Sequence, residues 1–345
     1  MRIGVAGVGR IGAFHASVLA GLDGVEEILL ADASPERAVQ VARALSDNSG
    51  AGGRRAPRIS AAAEPDDLLV GGLDGLVVAA GTDAHPGLIC AGVEAGVPVF
   101  CEKPVAGELG QILQVAERVG RSDVAVQVGF QRRFDAGFGA AREAVSTGKL
   151  GWVHTMWACT FDPAPPPAEY IATSGGLFRD CSVHDIDALR WVSGREVVEV
   201  AASGANRGAS FFAEYGDVDT AGALLRLDDG TLAVIGATRY NAAGYDVRLE
   251  VFGADSTVAV GLDERSPLSS VESGIAWPSG RPYRDFLDRF APAYTAELAA
   301  FLEVASGRRP SPCTVADSLE TAYVAEACEL ARAQRRWVGV AEVKR

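Results

Sequence analysis

A glycine motif, Gly7-Val8-Gly9-Arg10-Ile11-Gly12, follows the short β-branched run Ile3–Ala6 directly and opens the helix-like stretch Ile11–Ala20. A strand, a G-x-G-x-x-G turn and a helix in that order make the first unit of a dinucleotide-binding sheet. The first glycine allows the tight turn, the second lets a pyrophosphate approach the backbone, and the third lets helix and strand pack closely. The helix start adds backbone N–H groups and a positive dipole end for phosphate. With 40 glycines in 345 residues the spacing alone says little, so the flanking elements decide. Asp32 comes 20 residues after Gly12, closing a second apolar run, Ile28–Ala31. A carboxylate there holds the adenosine ribose hydroxyls and repels a 2′-phosphate, which favours NAD over NADP. Arg37, five residues on, softens that preference if it swings over the ribose.

The alternation continues. Leu76–Ala80, Val97–Cys101 and Val124–Val128 read as strands, with Pro86–Ala95 and Glu108–Val119 as helices between them. Short strands alternating with helices give βαβ units and a doubly wound parallel sheet. Ser46–Arg58 reads as a loop without evident chemistry. After Gly129 the texture changes: a helix-like Ala136–Val145 precedes the alternating strand Trp152–Thr160, a proline-rich loop over Asp162–Pro167 and a helix-like His184–Val192. Four strand-like runs follow, Val197–Ala202, Ala221–Leu227, Thr231–Thr238 and Asp246–Phe252, with an Asp229-Gly230 turn between the middle two. Helix-like Ala293–Ala305 and Val315–Arg335 come last. At ~150 residues per domain two are expected. They are a nucleotide-binding Rossmann domain over 1–128 and, over 129–345, an α+β substrate and oligomerisation domain with a large, mainly antiparallel sheet open on one face.

Composition removes several function classes. Acidic residues outnumber basic ones 45 to 32, a net charge of −13 that repels nucleic-acid backbones and anionic membranes. No apolar run approaches the ~18 residues of a membrane span, and Arg2 and Arg10 with their glycines interrupt what a secretory signal would need. The six cysteines, Cys90, Cys101, Cys159, Cys181, Cys313 and Cys328, show no close pairs and read as reduced, buried thiols of a cytoplasmic protein.

Few residues remain to carry chemistry. The chain has four histidines and, against 29 arginines, only Lys103, Lys149 and Lys344. His15 and His154 read as packing or polar-surface residues. His85, in Gly81-Thr82-Asp83-Ala84-His85-Pro86, stands where a parallel strand ends, and helix start and cofactor contact are equally open to it. Lys103 lies in Phe100-Cys101-Glu102-Lys103-Pro104 at another strand end; lysine has a tunable, compact charge suited to a developing alkoxide, although a surface Glu102–Lys103 pair is the plainer alternative. On a helix, Asp180 and His184 are i and i+4 neighbours, so the carboxylate can orient an imidazole that accepts a proton; a capping aspartate with a surface histidine is the alternative. Asp187 is either a supporting partner or solvated.

Taken together, Gly7–Gly12, Glu102-Lys103-Pro104, Gly129-Phe130-Gln131-Arg132-Arg133-Phe134-Asp135, Gly175-Gly176 with Asp180-x-x-x-His184-Asp185-x-Asp187, and Arg289-Phe290-x-x-Ala293-Tyr294-x-x-Glu297 resemble the Gfo/Idh/MocA oxidoreductases, most of all their inositol 2-dehydrogenase branch. The resemblance spans nearly the whole chain. It implies an NAD-dependent enzyme that oxidises a secondary alcohol of a cyclitol or sugar, with Lys103, Asp180 and His184 as the catalytic group and no metal. Under it, Gly81, Thr82, His85, Glu102, Lys103 and Gln131 join Gly7, Gly9, Arg10, Ile11, Gly12 and Asp32 at the cofactor; Arg132, Asp162, Asp180, His184, Tyr245 and Tyr283 face substrate. The alternatives are reduction of a keto-sugar or related carbonyl compound by the same residues, an NAD-using glycosidase, and a non-catalytic NAD sensor. One departure bears on substrate: where inositol dehydrogenases of the family carry Arg-Asn-Pro, this chain has Phe161-Asp162-Pro163. The open sheet needs a cover, so a homodimer or homotetramer is expected.

Overall fold

The apolar runs become strands where a neighbour can bury them. A computed structural model describes residues 1–48, 56–63 and 67–344. Strand β1 (Arg2–Ala6), buried from Ile3 to Ala6, joins β2 (Glu27–Ala31), β3 (Arg58–Ala61), β4 (Gly75–Val78), β5 (Val99–Glu102) and β6 (Val126–Gly129) in an all-parallel sheet. The order is β3-β2-β1-β4-β5-β6, so the winding reverses between β1 and β4, where sheets of this kind open a crevice for ligands. Helices Arg10–Gly21, Pro35–Asn48, His85–Glu94 and Leu109–Gly120 make the connections. Of the loop expected over Ser46–Arg58, residues 49–55 lie outside those described; Ser46–Asn48 finish a helix and Arg58 begins β3. This edge strand is four residues long with none fully buried, too little pattern to read from sequence.

The second sheet has seven strands: β7 (Val153–Phe161), β8 (Val197–Ala205), β9 (Thr220–Leu227), β10 (Leu232–Thr238), β11 (Asp246–Gly253), β12 (Thr257–Val260) and β13 (Val338–Gly339), ordered β12-β11-β7-β10-β9-β8-β13. Every pairing is antiparallel except β7 with β10. The Asp229-Gly230 turn links β9 to β10 as expected: Gly230 is left-handed at φ +91° and Asp229 Oδ1 accepts from Thr231 N. Along β10 the residues Ala233, Ile235 and Ala237 are buried, while Leu232 and Val234, with Trp157 of β7, stay exposed on the other face. That face is the open side anticipated from the alternation.

The chain divides into two compact units, Met1–Gln131 with Tyr294–Leu319, and Arg132–Ala293 with Glu320–Arg345. The chain leaves the first unit after Gln131 and returns to it over Tyr294–Leu319. That return is driven by burial, since Leu298, Phe301 and Leu302 join Ile3, Val5, Leu19, Ile28 and Phe100 in one cluster. The helix carrying them runs from Phe286 to Ala305 with Pro292 inside it, seven residues earlier than the start expected after that proline. Among the described residues all six cysteines are free and five are buried, no helix is long and apolar enough to cross a membrane, and no cluster of three metal-ligating side chains occurs.

Candidate active site

In the first unit the glycine loop is shaped by collisions that any side chain would cause. Gly7 is left-handed at φ +88°, and a Cβ on it would lie 2.4 Å from Ala80 Cα; one on Gly12 would lie 1.9 Å from Gly7 O. At Gly9 a Cβ would meet nothing within 4 Å, so this face of the loop is open. Gly9 also starts the helix Arg10–Gly21, which has neither a side-chain cap nor an acid in its first turn. An open backbone at an uncapped helix start suits a phosphate group. Asp32, 6% exposed, accepts hydrogen bonds from Val8 N at 2.8 Å and Ser34 N at 2.9 Å, tying the loop to the end of β2. Arg37 reaches it at 3.3 Å. Its second lone pairs remain suited to ribose hydroxyls. These residues fit a dinucleotide.

Around them, Arg10 and Ile11 form the first helical turn, and Gly81 precedes the short 3-10 turn Thr82–Ala84 after β4. His85 is buried, and its two ring nitrogens lie against the carbonyls of Pro104 (2.8 Å) and Ala80 (3.0 Å), so it straps the segment after Lys103 to the end of β4. Glu102 meets the fully buried His15 at 2.7 Å, a partnership the sequence did not suggest. Lys103, half-buried, follows β5, and Gln131, buried, opens the 3-10 turn Gln131–Phe134 after β6.

In the second unit the Asp180–His184 stretch is not a plain α-helix. Phe178–Ser182 forms a π-helical turn that feeds the helix Val183–Ser193. Such wide turns recur at functional sites because they re-aim side chains. His184 keeps part of its surface in solvent while Val183 and Asp185–Arg190 are buried. Both oxygens of Asp180 are engaged: Tyr170 OH donates to one at 2.9 Å and Arg239 Nη2 to the other at 2.6 Å. The same guanidinium donates from Nη1 to Asp162 Oδ2 at 2.7 Å and to Cys181 Sγ at 3.0 Å. Burial works against the charge of Arg239, but Cys181, Asp180 and Asp162 outweigh it and hold the group above its usual range. The acid at position 162 is therefore balanced by Arg239, which the sequence reading did not single out. Nothing marks it there: it is one arginine of 29, immediately after β10.

Other expected substrate residues sit deeper. Arg132, 2% exposed, donates to Asp185 Oδ1 and Thr160 Oγ1, each at 2.6 Å, and Thr160 Oγ1 donates to Asp185 Oδ2. Burial pushes the Asp185 carboxyl up against the pull of Arg132. This buried triad holds the helix of His184 to β7. Arg133 grips Asp187 with two nitrogens, at 2.9 and 2.6 Å, so Asp187 is a supporting residue rather than a solvated one. Burial keeps the Tyr245 phenol far above its ordinary value, hence a neutral group. Tyr283 donates to Asp263 at 2.8 Å, and burial together with that bond raises its phenol too.

Two family models match the chain: "Oxidoreductase family, NAD-binding Rossmann fold" over residues 1–130 and "GFO/IDH/MocA C-terminal domain" over 138–259. A protein described as the myo-inositol dehydrogenase Hyg17 of Streptomyces leeuwenhoekii is 38% identical over 331 residues, covering 94% of this chain and 96% of that protein. The solved structure of a probable dehydrogenase from Thermotoga maritima superposes with a TM-score of 0.88 at 31% identity, over 99% of this chain and all of that one (100%). Scyllo-inositol dehydrogenase from Lactobacillus casei, solved with NAD(H) and scyllo-inositol, superposes at 0.85 with 28% identity over 99% of each chain.

Proposed function

The chain belongs to the Gfo/Idh/MocA oxidoreductases, and on that premise we propose that it oxidises a secondary alcohol of a cyclitol, with myo-inositol the first substrate to try. The enzyme class is an oxidoreductase acting on CH–OH groups, and its cofactor is NAD. When bound, NAD supplies the acceptor for the carbinol hydride. Gly9 and the first turn of the helix Arg10–Gly21 hold the pyrophosphate, and Asp32 holds the ribose hydroxyls. His184 accepts the hydroxyl proton at its ring, and Asp180 holds the adjoining hydroxyl or the ring in place. Lys103 is the cation we assign to the negative charge that develops on a carbinol oxygen as its proton leaves.

The observation that carries this reading is the setting of Asp180: a carboxylate fixed through both oxygens by Tyr170 and Arg239, on a π-helical turn and four residues before a partly buried histidine, His184. A surface cap has no need of such fixation. The open sheet face with Trp157, Leu232 and Val234 supports assembly of the enzyme as a homodimer or homotetramer. Lys103→Met tests the reaction directly. NAD affinity by calorimetry should stay within about twofold, while turnover should fall on the order of 100-fold or more, the scale of losing one oxyanion donor. Unchanged turnover removes Lys103 from the mechanism.

A further inference from the structure

Three residues after Gly12, on the same buried face of the helix Arg10–Gly21, His15 is wholly shut off from solvent. Its ring meets Phe100 and Tyr294 edge-on, at centroid distances of 5.4 and 5.7 Å. Nε2 lies 2.7 Å from Glu102 Oε1, whereas Nδ1, also buried, has no hydrogen-bond partner. A carboxylate oxygen accepts, so Nε2 carries the hydrogen and donates it. Packing alone does not call for a histidine here. An apolar ring would fill the same aromatic surroundings without burying two polar nitrogens, one of them unmatched. What the histidine adds is its bond to Glu102.

That bond acts directly beside Lys103. Glu102 ends β5 and pairs in register with Gly129, the last residue of β6. A Cβ on Gly129 would lie 3.2 Å from Glu102 Oε2, so the glycine leaves the second carboxylate oxygen its room. On the other side of Lys103, His85 Nδ1 lies 2.8 Å from the Pro104 carbonyl oxygen. Both chain neighbours of Lys103 are thus tied to buried histidines, one on the helix after β1 and one on the helix after β4. We propose that His15 is a positioning residue for the oxidation: through Glu102 it fixes the end of β5, and with it the place of the Lys103 ammonium. A displacement of about 1 Å at a reacting group is enough to slow a reaction on the order of 100-fold. The proposal rests on the part assigned to Lys103 above.

Having only three lysines, the chain lets the place of Lys103 be read by NMR of the full protein with 13C-methylated lysines, the signal being assigned by its loss in Lys103→Met. His15→Phe keeps the aromatic packing and removes the donor. It should move the Lys103 signal and leave those of Lys149 and Lys344 in place, and His15→Gln, whose amide N–H can reach Glu102, should bring the signal back. This arm needs no substrate. In NADH formation from NAD and myo-inositol, His15→Phe should lower kcat about 10- to 100-fold with NAD affinity unchanged. It should cost nothing further in a Lys103→Met background, because both changes act at one group. If His15→Phe does not fold, the smaller His15→Leu is read in its place. An unmoved Lys103 signal, one that stays displaced in His15→Gln, or full additivity with Lys103→Met overturns the proposal. A moved signal together with full turnover in Lys103→Met overturns it differently, by removing Lys103 itself from the reaction.

Discussion

Replacing Arg239 by methionine tests how the second unit manages its acids. The guanidinium is about as buried as an arginine becomes, with its side chain 5% exposed, and it bridges Asp162 and Asp180. Methionine fills most of the volume but leaves two carboxylates without their cation. Stripping one partner from a buried ion pair costs about 3–5 kcal/mol. Asp162 is 21% exposed and Asp180 11%, so water screens part of that loss, and ~3 kcal/mol is the expected figure. For units of this size that corresponds to a fall in Tm of about 6–12 °C. The variant should also lose kcat more than it raises KM, because Asp180 is no longer fixed for its role beside His184. Adding Asp162→Asn to Arg239→Met should return about 1 kcal/mol, since one of the stranded charges is then gone. The assay is thermal and urea unfolding of the wild type, both single variants and the double variant, with steady-state kinetics on each folded protein. If Arg239→Met melts within 1–2 °C of wild type (an allowance of about 0.5 kcal/mol), the bridge is a surface pair in disguise and the argument for a balanced Asp162 fails.

Three further outcomes follow from the geometry. Gly9→Ala should fold with normal stability, because its Cβ meets nothing within 4 Å, yet weaken NAD about tenfold or more by blocking close approach of the pyrophosphate; Gly7→Ala should instead destabilise the fold, by about 2 kcal/mol for its left-handed backbone alone. Calorimetry with NAD and thermal melts separate the two. The Arg265 side chain, with help from Arg284, holds the Asp288 carboxyl at about 2, below its ordinary value. Its contribution is complete above the ordinary carboxylate range and is lost as pH falls toward about 2, so Asp288→Asn should be less stable than wild type near neutrality and converge with it in acid; a gap that is constant with pH contradicts this. Charging the open sheet with Trp157→Glu and Val234→Glu should lower the mass found by light scattering, and a wild type that is already monomeric refutes a role for that face in assembly.

The first sheet was legible because each step of its winding left a local trace. Buried runs such as Ile3–Ala6 and Ile28–Ala31, the glycine loop and Asp32 all sit next to one another in sequence. The edge strand Arg58–Ala61 left none, having no face to bury. The return of Tyr294–Leu319 was invisible for a different reason: Leu298 and Phe301 show a helical stripe, but a stripe does not name the surface it packs on. At the candidate site, Lys103, Asp180 and His184 stood out through rarity or spacing. Arg239 did not, since its partners Asp162 and Asp180 lie 77 and 59 residues away along the chain, and only folding brings them within hydrogen-bond reach. Tyr170 is only ten residues before Asp180, but no spacing in the sequence says that its hydroxyl turns to that carboxylate, and Arg132 is close to the expected site in sequence yet spends its guanidinium on Asp185 and Thr160, 53 and 28 residues away.

The central claim is the oxidation of a cyclitol with NAD. It is tested most directly by following NADH absorbance at mildly alkaline pH with wild-type enzyme, NAD or NADP, and a panel of myo-inositol, scyllo-inositol, aldoses and sugar acids. NADH should accumulate with NAD and a cyclitol, and NADP should support far less turnover because Asp32 opposes the 2′-phosphate. No NADH with any cyclitol, from enzyme shown by calorimetry to bind NAD, would contradict it.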